Sequence, residues 1–217
     1  EMCISDRLYA PEQIDPGWFS QAFALHFCSV SLVDSPMRYA HLAAITAARE
    51  AGAILSFDPN LRFPLWPDRE QLRQTVWQFL PLTHILKLSD EELPFLTGTE
   101  DIEAALPRLF TGDVQLVLYT CGSKGVRAYT RTASAHARSP KVAAVDTTGA
   151  GDGFIGSFLW QLQRDGVTPA ELPKLSRKRL TEYLIFSNRF CAISVQHHGA
   201  IDSYPTLEQM KAEYPLP

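Results

Sequence analysis

The sequence predicts an α/β protein built on a doubly wound, mostly parallel sheet with helices on both faces. Three observations predict it. Short apolar runs without polar alternation recur along the chain, as strands buried on both faces require. Segments of helical periodicity separate them, and parallel strands need such crossovers. A small-residue loop, Gly149-Ala150-Gly151, turns directly into an apolar helical run, and sheets of this class bind ligands at such strand-to-helix joints.

The elements follow in order. Leu25 to Val33 is a β-rich run, and Pro36 opens a helix that carries Tyr39, Leu42, Ala43, Ile45 and Thr46 on a helical period until Gly52. Ala53 to Phe57 reads as a buried strand ending at Asp58-Pro59-Asn60. A helix from Asp68 to Phe79 has Asp68 as its cap and Leu72, Val76 and Phe79 inward. Strand His84 to Leu88 leads to Ser89 and Glu92, spaced as a capping box. A helix over Ile102–Phe110, strand Val114–Tyr119 and a hairpin of Val126–Thr130 with Ser134–Ala137 come next. Phe154, Ile155, Phe158, Leu159 and Leu162 then make one helical face ended by Gly166. A long helix over Leu175–Val195 and a short one over Thr206–Tyr214 complete the chain, which reads as one unit over residues 1–217.

Composition narrows the function. The 217 residues are 46% hydrophobic and carry a net charge of -4, and the longest cationic run is Arg177-Lys178-Arg179, so neither nucleic acid nor an anionic membrane is expected as a partner. No apolar run approaches a membrane span. Cys3, Cys28, Cys121 and Cys191 lie far apart without CxxC spacing, which fits reduced thiols and a cytoplasmic location.

The chemistry concentrates at Asp146-Thr147-Thr148-Gly149-Ala150-Gly151-Asp152-Gly153-Phe154. A helix start offers unpaired N–H groups and the positive end of the macrodipole. Small residues let an anion reach successive amides. Asp152 at that start would repel an anion, yet it suits a base that takes a proton from a hydroxyl attacking a bound phosphate. Simple capping of the helix by Asp152 is the competing reading. The glycines fit neither G-x-G-x-x-G nor G-x-x-x-x-G-K-[ST].

These residues resemble the C-terminal signature of the ribokinase-like (PfkB) carbohydrate kinases. Phe57-Asp58-Pro59-Asn60-Leu61-Arg62 with Leu65-Trp66 resembles the bacterial fructokinases, and Lys87-Leu88-Ser89-Asp90-Glu91-Glu92, Thr120-Cys121-Gly122-Ser123-Lys124-Gly125 and the stretch from Ser194 to Ser203 resemble further family segments. The resemblance implies an ATP-dependent kinase acting on a primary hydroxyl of a small sugar, fructose first. Asp152 would be the base, and the amides of Gly149, Ala150 and Gly151 the anion hole. Thr120, Gly122, Ser123, Gly125, Asn188 and Lys87 would meet the nucleotide, and Asn60 and Arg62 the substrate. Glu92 would hold magnesium through water. Asp146, Thr148, Ser194, His197, Gly199 and Ser203 would surround potassium. Ser89 stands where many relatives have Asn. His197-His198 offers no third ligand for a transition metal.

The family's upstream Gly-Gly sugar segment and small β lid have no counterpart here, so the expectation is an N-terminally incomplete chain, in which Ile4 to Ile14 is similar to the stretch after that region and Ala10-Pro11 starts a helix. A homodimer through the lid is the implied assembly. Alternatives are a 2-keto-3-deoxygluconate or aminoimidazole riboside kinase, or a non-catalytic nucleotide-binding module. A vitamin kinase is disfavoured by Asp58 to Arg62.

Overall fold

A computed structural model describes residues 8–214. Two compact units divide the chain: the first runs up to Tyr119 and includes Thr168–Pro173, and the second holds Thr120–Val167 with the chain from Lys174 onward. Cys3 and the resemblance over residues 4–7 lie outside the described residues.

The first unit contains strands β1 (Ala24–Cys28), β2 (Ile54–Asp58), β3 (Ile85–Ser89) and β4 (Leu116–Thr120, its last residue at the unit boundary) in that spatial order, with β1 parallel to β2 and β2 parallel to β3. All five residues of β2 are buried, as are the first four of β3 and of β4, so both faces are covered. Helices α1 (Pro36–Glu50), α2 (Arg69–Phe79), α3 (Leu93–Thr97) and α4 (Ile102–Leu109) occupy the connections. Phe27 stacks on Phe57 at 4.8 Å and meets Phe79 edge-on at 6.2 Å. Burial of a phenylalanine in such a cluster contributes about 2–3 kcal/mol.

The α2 cap is where the sequence puts it: the Asp68 carboxylate accepts from the Gln71 amide at 2.7 Å, and Leu72, Val76 and Phe79 point inward. Three other expectations are corrected. The run from Leu25 leaves the sheet at Cys28, because Ser29 donates its amide to the Pro59 carbonyl and a 3-10 turn follows over Ser29–Ser31. Helix α1 buries Ala40, Ala44, Ala47 and Ala48 with Ile45, while Tyr39 and Leu42 face solvent. The inner stripe is the one with the smallest side chains, which lets backbones approach. The segment after Ala10 forms only a 3-10 turn, Pro11–Gln13, in which the Gln13 side chain accepts from the Ala10 amide.

The second unit holds the hairpin of β5 (Val126–Tyr129) and β6 (Ser134–Ala137), paired antiparallel as expected, and helices α5 (Ala150–Arg164), α6 (Arg177–Ser194) and α7 (Leu207–Glu213). Phe154, Phe158 and Leu162 line the buried face of α5, which packs on α6 through Phe158 and Tyr183. Gln161 is buried with them, its amide donating to the carbonyls of Ser157 and Tyr183 and to the Ser187 hydroxyl. Helix α7 begins at a capping box between Thr206 and Gln209.

Candidate active site

A cavity of about 600 Å³ opens within the second unit, in the size range of small-ligand sites. Thr120, Gly122, Ser123 and Gly125 line one side, and Thr147, Ala150 and Gly151 another. Val126, Pro140, Val142 and Ala192 supply apolar wall, and Lys141 is the cation among the lining residues. Asn188 is buried, and its amide nitrogen donates to the Ala137 carbonyl at 3.2 Å. The loop from Thr120 is held as a tight turn by the Cys121 amide donating to Gly125 and the Gly125 amide to Gly122. Gly125 has φ +108°, and a Cβ there would lie 2.3 Å from the Ala137 carbonyl oxygen. Only glycine allows this approach of the loop to β6.

At the head of α5, Gly149 caps the helix in the left-handed conformation, φ +74°. The Ala150 amide donates to the Thr147 carbonyl at 3.1 Å, which spends one of the three amides that the resemblance assigned to an anion. The amides of Gly149 and Gly151 meet no acceptor among the described residues. Asp152 is exposed in the first turn and faces a second cavity beside Gly153, Tyr204 and Phe190.

The segment before this turn is tied to the loop after α6. Val195 accepts from the amides of Val145 and Asp146. One Asp146 oxygen accepts from the Thr148 amide at 2.9 Å, and the other from the Gly199 amide at 3.0 Å. Hydrogen bonds from Thr148 and then Gly199 hold this carboxyl down at about 2. Ser194 and Ser203 are buried with their hydroxyls 2.7 Å apart, Ser203 donates to the Ala200 carbonyl, and the His197 amide donates to Ser194. Among the residues assigned to a monovalent cation, hydrogen bonds thus join Asp146 to Thr148 and Gly199, and Ser194 to Ser203 and His197. No group of three His, Cys, Asp or Glu side chains converges among the described residues.

Within the first unit, the ends of β2 and β3 bring Asp58, Lys87 and Glu92 together, all buried. The Lys87 ammonium bonds the Asp58 carboxylate. Burial pushes the Asp58 carboxyl up, the Lys87 charge opposes the rise, and the Glu92 charge adds to it. Glu92 accepts from the amides of Leu61 and Ser89 and from the Ser89 hydroxyl. The Ser89–Glu92 bonding is reciprocal, since the Glu92 amide donates to the Ser89 hydroxyl at 3.3 Å, but it closes the turn before α3 and does not cap the helix as expected, because α3 starts at Leu93 with Glu92 itself at the N-cap. A carboxylate has about four acceptor positions, so one remains for the water shell of a hydrated cation. Asn60 adopts φ +44° while its amide donates to Asp58, and backbone strain of this kind concentrates at functional sites. Arg62 is exposed and donates to the neighbouring Leu61 carbonyl.

Comparison with known proteins decides the lineage. The pfkB family carbohydrate kinase description matches residues 4–207. The chain belongs to that family. It is 39% identical over 210 residues to a probable fructokinase-4 of Arabidopsis thaliana, covering 96% of this chain and 63% of the relative. A fructokinase of Xylella fastidiosa with bound ATP superposes with TM-score 0.88 at 32% identity, over 94% of this chain and 65% of that one. An aminoimidazole riboside kinase of Salmonella enterica, complexed with aminoimidazole riboside and an ATP analogue, superposes with TM-score 0.82 at 29% identity, over 97% of this chain and 68% of that one. The α/β fold expected from the sequence is the fold of these kinases. This pfkB chain spans less than two thirds of the Arabidopsis relative's length. No helix among its described residues is long and apolar enough to cross a membrane.

Sequence reasoning about this family member missed Asp58, Tyr204 and the cavity wall. Asp58 was legible as a carboxylate at the end of a buried strand, where only a partner makes burial tolerable. Tyr204 carried no local signal.

Proposed function

We propose that this chain is the nucleotide-binding and catalytic portion of an ATP-dependent sugar kinase, with fructose as the acceptor. One observation carries the reading: the Thr120–Gly125 loop and the Thr147–Gly151 turn line one cavity of nucleotide size, and Asp152 follows at the next residue with its carboxylate exposed. The fructokinase relatives support the choice of sugar.

In the proposed reaction Asp152 accepts the proton of the sugar hydroxyl. The oxygen forms a bond to the terminal phosphorus, the bridging P–O bond breaks, and ADP leaves with the electron pair. The amides of Gly149 and Gly151, at the positive end of α5, stabilise charge on the transferring group. Asn188 and the apolar wall hold the base and ribose. Asn60 and Arg62 are assigned to the sugar. Magnesium, held by Glu92 through water, would neutralise phosphate charge. Potassium near Asp146, Thr148, Ser194, His197, Gly199 and Ser203 would add positive potential beside the turn. Lys87 is withdrawn from the nucleotide in this proposal, because its ammonium is committed to Asp58.

Titration calorimetry with ATP, followed by an ADP-release assay over fructose, 2-keto-3-deoxygluconate and aminoimidazole riboside, tests the proposal. Asp152→Asn is expected to lower turnover by roughly 10²–10⁴-fold with ATP affinity kept within a few-fold. Turnover left intact in Asp152→Asn refutes the mechanism. ATP binding without turnover on any sugar supports a nucleotide-binding module instead.

A further inference from the structure

We infer that Tyr204 is a positioning residue for the phosphate-facing turn, acting through the Gly149 carbonyl; this deepens the kinase reading and rests on it. Tyr204 is 55 residues distant in sequence, and its hydroxyl donates to the Gly149 carbonyl at 2.7 Å. That carbonyl also accepts from the Gly153 amide at 2.8 Å, while the amide of the same peptide unit donates to Thr147. The Gly149–Ala150 peptide plane is therefore fastened on both sides. A left-handed glycine has no Cβ to resist rotation of its flanking peptides, so the fastening must come from outside the turn.

The space around the contact is fully used. A Cβ on Gly149 would meet the Ala200 methyl at 2.8 Å and the Tyr204 hydroxyl at 2.9 Å. A Cβ on Gly153 would meet the Tyr204 ring at 3.0 Å and the Phe190 ring at 3.1 Å. The two rings pack at 5.4 Å. Tyr204 itself projects from a fixed base: its amide donates to Ile201, Ser203 bonds Ala200 and Ser194, and Gly199 bonds Asp146. The hydroxyl thus fixes the peptide lying between the two open amides, on the turn that also carries Asp152.

Tyr204→Phe retains the ring packing and deletes only the donor. Backbone hydrogen exchange of Ala150 and Gly153, followed by NMR without ligand, is expected to quicken several-fold, because a neutral hydrogen bond of this kind sets a two- to tenfold bias. Unchanged exchange overturns the clamp, whatever the enzyme does. ATP affinity is expected to fall about three- to tenfold and ADP affinity to stay within twofold, because only the terminal phosphate reaches the open amides. An equal loss for both nucleotides, or for neither, overturns the positioning role. Wild-type protein that binds no ATP sinks the kinase reading itself, while the exchange result still judges the clamp.

Discussion

Removing the Lys87 ammonium is the sharpest test of the first unit. The Lys87 and Asp58 side chains are 6% and 4% exposed, so neither charge has water to fall back on. Lys87→Met leaves Asp58 buried beside Glu92 without a counter-charge, and breaking such a pair costs about 3–5 kcal/mol. At 1.4 kcal/mol per factor of ten, that lowers the folded-to-unfolded ratio by roughly 10²–10³ or more. Asp58→Asn alone strands the ammonium and is expected to cost a comparable amount. The double variant keeps an acceptor for the Asn60 amide and carries no charge, so most of the loss should return. Urea unfolding of the four proteins gives the coupling directly, and at least about 2 kcal/mol is expected. Additivity within about 0.5 kcal/mol, or a Lys87→Met loss below about 1 kcal/mol, would show that the pair is exposed to water in solution and that the burial argument is wrong.

Further outcomes follow from the second unit. Gly149→Ala adds a methyl in a left-handed position against Ala200 and Tyr204, and about 2–4 kcal/mol of destabilisation is expected in urea. Gly156→Ala, with nothing within 4 Å, should instead stabilise α5 by up to about 1 kcal/mol. The Asp146 carboxyl, lowered to about 2 from its ordinary 3.8, contributes stability that is complete above 3.8 and lost as pH falls through 2. Thermal melts between pH 5 and 2 should show that loss in the wild type and not in Asp146→Asn. Asn188→Ala is expected to weaken ATP about five- to tenfold by calorimetry, the share of one amide hydrogen bond made by the side-chain atoms left over from its bond to the Ala137 carbonyl. An affinity within twofold would remove Asn188 from the nucleotide site.

What could be read from the residues alone depended on how local the cause was. The Asp68 cap, the β5–β6 hairpin and the buried strand expected over Ala53–Phe57 are set by neighbours in sequence, and each formed within one residue of its expected place, the strand over Ile54–Asp58. The inner face of α1 is legible only in part: Ile45 is buried as its period implies, whereas the packing selects Ala40, Ala44, Ala47 and Ala48 over the bulkier Tyr39 and Leu42. In the candidate site, Thr120, Gly122, Ser123, Gly125, Ala150, Gly151 and Asn188 line one cavity. The Lys87 pairing escaped because it depends on which side chains two adjacent strands bring together, 29 residues apart. The use of the Ala150 amide by Thr147 escaped for another reason: a motif names residues, and the hydrogen bond is decided by the dihedrals of the turn.

The approach of Gly125 to Ala137 also limits how this pfkB-family chain can be re-engineered. A Thr120–Gly125 loop transplanted from a relative must bring a glycine at that point, since even one methyl would collide with the Ala137 carbonyl. Attempts to reshape the cavity are better aimed at its apolar wall, at Val126, Val142 or Ala192, whose side chains already line it.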